Sequence, residues 1–178
     1  MDLFETKLLA DCRKGRQDAF DTLVRTYADR VYGIVLPMVR NREDARDISQ
    51  EVFLKVYRGI GTFSGQSSLS TWICAIAVNA ARDCLRKQSR MSEVPYDETK
   101  EQTDCDASER RDRGIVLREA LDNIEEEQKE ILVLRDMMGF SYDEIAEMLG
   151  IVPGTVKSRL SRARSALREL LLRDGGFF

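Results

Sequence analysis

The chain has 178 residues, a formal net charge of −3, and 43% apolar against 33% charged residues. That length allows one or two small domains with modest cores. The complete lack of histidine excludes imidazole-ligated metal and histidine-based acid–base catalysis.

Cys12, Cys74, Cys84 and Cys105 form no C-x-x-C pair, so neither zinc nor any other cofactor is expected. With no secretory signal they read as reduced thiols of a cytoplasmic protein. The longest uncharged apolar stretch, Trp72 to Ala81, includes Asn79 and is far too short to enter a bilayer. No nucleophile–base pair stands out, so an enzyme is disfavoured.

Residues 1–16 read as a short leading helix anchored by Leu3, Leu8 and Leu9 and broken at Gly15. From Asp18 onwards Phe20, Leu23, Val24, Tyr27, Val31, Ile34, Val35 and Met38 follow helical spacing. Pro37 is expected to kink or end that helix, because it cannot donate to the carbonyl of Gly33. Asn41 caps the next helix, whose inner stripe is Ala45, Ile48, Val52 and Val56. Its outer face carries Asp47, Gln50, Glu51, Leu54 and Arg58, with Phe53 and Tyr57 on a shoulder. A leucine ringed by acids and amides suits a docking patch. Contact of Phe53 and Leu54 with another helix of the same domain fits the wheel equally well.

Gly59 to Ser68 is a glycine-punctuated loop carrying Phe63, Ser64, Gln66 and Ser67. It reads either as a plain connection or as a nest of hydroxyls, amides and N–H groups that holds an unstacked base. Leu69 to about Gln88 is a helix buried over much of its surface, with one polar stripe of Trp72, Ala75, Asn79, Arg82, Asp83 and Arg86. Arginine and asparagine bind phosphates or base edges. Trp72 reads equally as a stacking face and as a core-edge residue.

Residues 89–112 lack apolar periodicity, and residues 91–112 hold three Lys/Arg against eight Asp/Glu, so the stretch reads as an acidic linker between two domains. Fully extended, about 24 residues reach roughly 80 Å. Two further helices follow, one with Ile115, Leu117, Leu121 and Ile124, the other with Ile131, Leu132, Leu134 and Met138. The expected fold is all-α, with helical domains over residues 1–88 and 113–174 joined by that linker.

The last stretch is the most informative. Ser141-Tyr142-Asp143-Glu144 is a capping box, so a helix starts there. Gly150 ends it, and Pro153 suits the first turn of the next. In that next helix Val156, Leu160, Ala163, Leu167 and Leu170 form one buried stripe. The opposite side carries Lys157, Ser158, Ser161, Arg162, Ser165 and Arg168, flanked by Arg159 and Arg164. Residues 153–173 hold six Lys/Arg and one Glu, whereas residues 113–152 hold four and ten. A charge run alone is more often a solvated helix face. Two short helices around a tight glycine turn make it a helix-turn-helix with a basic recognition helix.

Tyr142, Glu144-Ile145-Ala146, Leu149-Gly150, Gly154 to Leu160, Arg162-Ala163-Arg164 and Leu167-Arg168 together resemble the C-terminal domain of extracytoplasmic-function (group IV) RNA polymerase sigma factors. Asp44 to Tyr57 is similar to the sigma segment that binds the clamp helices of the polymerase largest subunit. The matches run in the family's order over roughly residues 15–172. The resemblance implies a sigma factor that binds core polymerase and directs promoter-specific initiation. Duplex −35 DNA falls to Thr155, Lys157, Ser158, Arg159, Ser161, Arg162 and Arg164. Melted −10 DNA falls to Phe63, Ser64, Gln66, Ser67, Trp72, Asn79, Arg82 and Arg86. Core polymerase, through its clamp helices and flap region, falls to Asp47, Gln50, Glu51, Phe53, Leu54 and Tyr57. An anti-sigma factor, soluble or membrane-bound, is a further partner the resemblance implies, and the sigma linker, here residues 89–112, is implied to enter the polymerase cleft and RNA exit path. A conventional helix-turn-helix repressor or activator, and a helical adaptor that binds only protein, remain the competing readings.

Overall fold

The computed structural model describes residues 3–91 and 120–173, all of whose regular elements are helical. The N-terminal half is a four-helix cluster: α1 (Leu3–Arg13), α2 (Gln17–Val39), α3 (Arg42–Gly59) and α4 (Leu69–Met91). The C-terminal half contains a helical turn at residues 120–122, α5 (Glu126–Leu132), a π-helical turn (Val133–Met137), α6 (Tyr142–Leu149) and α7 (Pro153–Arg173). The expected linker lies largely outside the described residues, as do Ile115 and Leu117, while residues 89–91 continue α4.

Local chemistry sets most boundaries. Asn41 Oδ1 accepts from the N–H groups of Glu43 and Asp44 at 2.8 and 3.1 Å, closing the donor end of α3. Ser68 Oγ does the same for Thr71 N–H at 3.0 Å at the start of α4. Ser141 and Glu144 form the reciprocal capping box of α6, and Gly150 ends that helix at φ +65°. The helix α2 runs two residues past Pro37 and ends where Arg40 takes a left-handed conformation. Leu8, Leu9 and Cys12 anchor α1, whereas Leu3, expected to help, stands in solvent, one turn beyond the reach of α2's packing.

The π turn was not visible in the sequence, where residues 131–138 read as ordinary helix. Met138 N–H reaches back five residues to Val133 O at 2.9 Å. Arg135 holds the chain that follows, donating to Phe140 O at 2.6 Å with its guanidinium over the Tyr142 ring.

The two halves are packed against one another. Val31, Ile34, Val52, Ile73 and Val78 on one side and Ile131, Leu134 and Ile145 on the other belong to one continuous set of buried side chains. Polar contacts edge the seam. Arg30 donates to Met138 O at 3.2 Å, its guanidinium 4.6 Å from the Phe140 ring centre. Thr71 Oγ1 donates to Glu144 Oε1 at 3.3 Å, and Arg40 pairs with Asp122 at 3.1 Å. Gly33 lets the Met138 side chain approach closely here, since a Cβ at that position would sit 3.0 Å from Met138 Cε.

Candidate nucleic-acid interface

On α7 the wheel holds: Val156, Leu160 and Ala163 are buried, with Leu167 and Leu170 packed against the same core. Lys157, Ser158, Ser161 and Arg162 lie together on the exposed side, and Thr155 is half-buried at its head. Ser158 Oγ donates to Thr155 O at 3.0 Å, which leaves its lone pairs outward.

The two flanking arginines behave differently. Arg159 pairs with Glu127 of α5 at 3.1 Å and is only 30% exposed. Arg164 is gripped by both carboxylate oxygens of Asp136, its Nε donating to Oδ2 at 3.0 Å. Planar guanidinium forks favour such two-point contacts. Both residues tie α7 to the helices beneath it. A groove of about 400 Å³ runs along the helix between Tyr142, Lys157, Ser161, Arg164 and Arg168. Tyr142 comes from α6, so no wheel drawn on one helix could place it beside the basic face.

The N-terminal candidates separate into two groups. Ser64, Gln66 and Asn79 are exposed and Ser67 is half-buried. Arg86 is 68% exposed beside Asp83 at 3.4 Å. Phe63 corrects its expected role: it is 5% exposed and packs on Trp72 with ring centres 5.0 Å apart, so its face is covered. Its carbonyl, with that of Ile60, accepts from Arg13 of α1, which staples the loop to the domain. Trp72 is half-buried and lies over Gly59, where a Cβ would come within 3.2 Å of the indole. Arg13 was missed because its acceptors are backbone atoms about fifty residues away.

Arg82 is committed elsewhere. Its Nη2 donates to Glu130 Oε2 at 2.6 Å, and the Glu130 side chain is 3% exposed. Burial pushes the Glu130 carboxyl above the usual carboxylate range, with Arg82 opposing the shift. The other oxygen, Oε1, is buried without a partner.

On α3, Asp47, Gln50 and Glu51 are exposed, with Leu54 at 56% and Tyr57 at 59%. Glu51 pairs with Lys55 at 2.9 Å, and Tyr57 meets Phe20 edge-on at 5.0 Å. Phe53 is 9% exposed and belongs to the core, which removes it from the expected docking set. Among the described residues no group of three or more His, Cys, Asp or Glu is placed to hold a metal. No described helix is long and apolar enough to cross a membrane.

Comparison with known proteins agrees with this layout. The family model for sigma-70 region 2 matches residues 23–91, and that for sigma-70 region 4 matches residues 115–167. The chain is 31% identical to the RNA polymerase sigma-H factor of Pseudomonas aeruginosa, over 94% of this chain and 93% of that one. It is 33% identical to the ECF RNA polymerase sigma-E factor of Escherichia coli, over 93% of each. Among solved structures, CnrH in complex with the cytosolic domain of CnrY shares the fold, with a TM-score of 0.72, 22% identity, and 96% and 99% of the two chains covered. The sigma factor RpoE with the anti-sigma factor NepR from Bartonella quintana aligns at TM-score 0.72 and 26% identity, over 85% and 96%. The chain belongs to the extracytoplasmic-function branch of the sigma-70 family, and is a non-enzymatic factor that directs promoter-specific initiation by RNA polymerase.

Proposed function

We propose that α7 reads the −35 element as duplex through Thr155, Lys157, Ser158, Ser161 and Arg162, with Arg159 and Arg164 fixing its angle. The supporting observation is the division of cations on this helix. Two arginines are bound to carboxylates of the same half, while Lys157 and Arg162 face outward with short serines beside them. Serines keep a recognition face slim enough for the major groove and still donate hydrogen bonds. In the N-terminal half Ser64, Gln66, Ser67, Asn79, Arg82 and Arg86 take melted −10 DNA, with Trp72 a wall of the site.

Core polymerase docks through its clamp helices on Leu54 and Tyr57, rimmed by Asp47, Gln50 and Glu51. The flap region suits a groove of about 400 Å³ among Ile124, Gln128, Ala166 and Leu170. An anti-sigma factor is a further partner, as NepR is for RpoE, and the protein acts in the cytoplasm.

Run-off transcription with core polymerase tests the whole reading: promoter-directed transcripts appear only when the chain is added. Arg162→Ala and Lys157→Ala are each expected to weaken −35 binding by about 1–3 kcal/mol if they touch bases, or to lower the salt slope by about one if they touch phosphates. Arg159→Ala is expected to show its effect first in thermal stability. Unimpaired −35 recognition with Lys157 and Arg162 both replaced rules out the assignment.

A further inference from the structure

The loop joining α3 to α4 is rich in glycine and serine, a composition that ordinarily gives a chain of many shapes. Here its first half is held from three directions. Ile60 and Phe63 are each 5% exposed, so two apolar side chains anchor it to the core. Thr62 N–H and Oγ1 both donate to Gly59 O, at 3.0 and 2.9 Å. Arg13 of α1 spans the carbonyls of the two anchors, its Nε donating to Ile60 O at 3.5 Å and its Nη2 to Phe63 O. Helix α1 can bear that link, because Leu8, Leu9 and Cys12 are buried and Tyr27 Oη donates to Glu5 Oε1 at 2.7 Å. At its far end the loop is fixed again, where Ser68 caps α4. What remains is an exposed tip of Ser64, Gly65 and Gln66, turning at Gly65 with φ +76°.

We propose that Arg13 is a positioning residue for −10 recognition: it fixes the shape of the Ser64–Gln66 tip, and thereby how strictly one unstacked base is told from another. This rests on the −10 assignment of Ser64, Gln66 and Ser67 made above. A guanidinium suits the task, since its rigid fork reaches two acceptors at once where a lysine ammonium is a single point. Arg13 is exposed, so it fills no space in the core and its removal leaves the packing of the domain intact. What its removal changes is the number of shapes the tip can take. A rigid polar tip rejects a wrong base, because its donors and acceptors are then left unpaired. A tip free to rearrange finds substitute partners, and flexible, loop-rich surfaces are promiscuous for that reason. The general pull on the strand comes from Asn79 and Arg86, exposed on α4. Without Arg13, discrimination therefore falls with no uniform loss of affinity.

Holoenzyme assembled from core polymerase and the full chain tests this. The probes are fluorescein-labelled single strands: the non-template −10 strand of a promoter mapped by the run-off assay, and versions with each base changed in turn. Discrimination is the ratio of dissociation constants at the most sensitive position. Arg13→Ala is expected to lower that ratio about tenfold, the worth of roughly one base-specific contact, by weakening the original strand and not its poorest competitor. An unchanged profile overturns the proposal. So does a uniform weakening of every strand with the salt slope lowered by about 0.7, which makes Arg13 a phosphate contact instead. Tyr27→Phe is the control for a merely structural role, since it removes the bond to Glu5 and leaves Arg13 on its two carbonyls. It is expected to keep full discrimination, and a loss equal to that of Arg13→Ala overturns the proposal. In the chain without polymerase, Arg13→Ala is expected to speed amide exchange at Thr62 and not in the buried turns of α2 and α3, and unaltered exchange at Thr62 overturns the proposal. Ser64→Ala and Gln66→Ala separate the two readings. If neither alters the profile, the −10 assignment of the tip falls and the positioning role falls with it. If either does and Arg13→Ala does not, the positioning role alone falls.

Discussion

Replacing Leu54 with glutamate is expected to weaken binding to core polymerase about thirtyfold or more, with little change in the melting temperature of the free chain. Leu54 is 56% exposed in the middle of α3. Burying a leucine fully against a partner contributes about 1.5–3 kcal/mol, and 1.4 kcal/mol is a factor of about ten in affinity. A carboxylate there forfeits that term and adds a charge beside Asp47 and Glu51, which the interface must desolvate. In the free protein the cost is small, because glutamate suits a helix nearly as well as leucine and exposed substitutions usually stay within about 0.5 kcal/mol. The neighbouring position gives the contrast. Phe53 is 9% exposed, and Phe53→Ala is expected to cost about 3–5 kcal/mol of stability, so it impairs polymerase binding only by unfolding the domain. Tyr57→Ala falls between the two, since its ring packs edge-on against Phe20 and that contact is worth about 0.5–1.5 kcal/mol. Titration of labelled chain with core polymerase, beside a thermal melt of each variant, separates the three. Equal polymerase affinity for Leu54→Glu and the unsubstituted chain removes α3 from the docking surface.

The contrast between residues 53 and 54 shows where sequence reading stops. Their side chains leave the helix about 100° apart, and a wheel cannot tell which sector a neighbouring helix will cover. Features decided within a few residues were legible: the Asn41 cap, the Ser141–Glu144 box, the Gly150 turn and the buried stripe of α7 all stand as expected. Features decided across the chain were not. Arg159 and Arg164 look like Lys157 and Arg162 on the wheel, and only Glu127 and Asp136, some thirty residues earlier, divide them. Phe63 read as part of a base-holding loop, but Arg13 pins its carbonyl and Trp72 packs on its ring. The acidic stretch between the halves pointed to a loose tether, whereas the seam includes close fits, such as Met138 against the backbone at Gly33, that no periodicity reveals. The family resemblance reached the fold and the function because both lie in motifs that are themselves local.

Replacing Lys129 with methionine is expected to stabilise the chain at neutral pH by about 1–3 kcal/mol and to flatten its stability between about pH 8 and pH 10.5. Lys129 is 2% exposed, with its ammonium 3.5 Å from Asp122. Burial, reinforced by the positive charge of Arg40, pushes it down from the usual 10.5 to about 8, and Asp122 offsets this only in part. Below about pH 8 the ammonium is charged in both the folded and unfolded chain, and the folded chain carries the full cost of burying it. Between about 8 and 10.5 the unfolded chain binds a proton that the folded chain has released, so stability rises with pH. Each unit of depression corresponds to about 1.4 kcal/mol, and exchanging a buried charged group for an apolar one of similar volume commonly gains about 1–4 kcal/mol. Methionine keeps the length of the side chain, and Asp122 is not stranded, because Arg40 still pairs with it at 3.1 Å. Other groups titrate in the same window with the opposite sign. Burial raises the thiols of Cys12, Cys74 and Cys84, and stability tied to them is lost as pH climbs. The informative quantity is therefore the difference between the two chains, which isolates the lysine. In paired denaturant melts from pH 7 to pH 10.5 the advantage of Lys129→Met should shrink steadily as pH rises. A constant advantage, or none at pH 7, means that Lys129 reaches water when charged and that the buried geometry is not the one populated in solution.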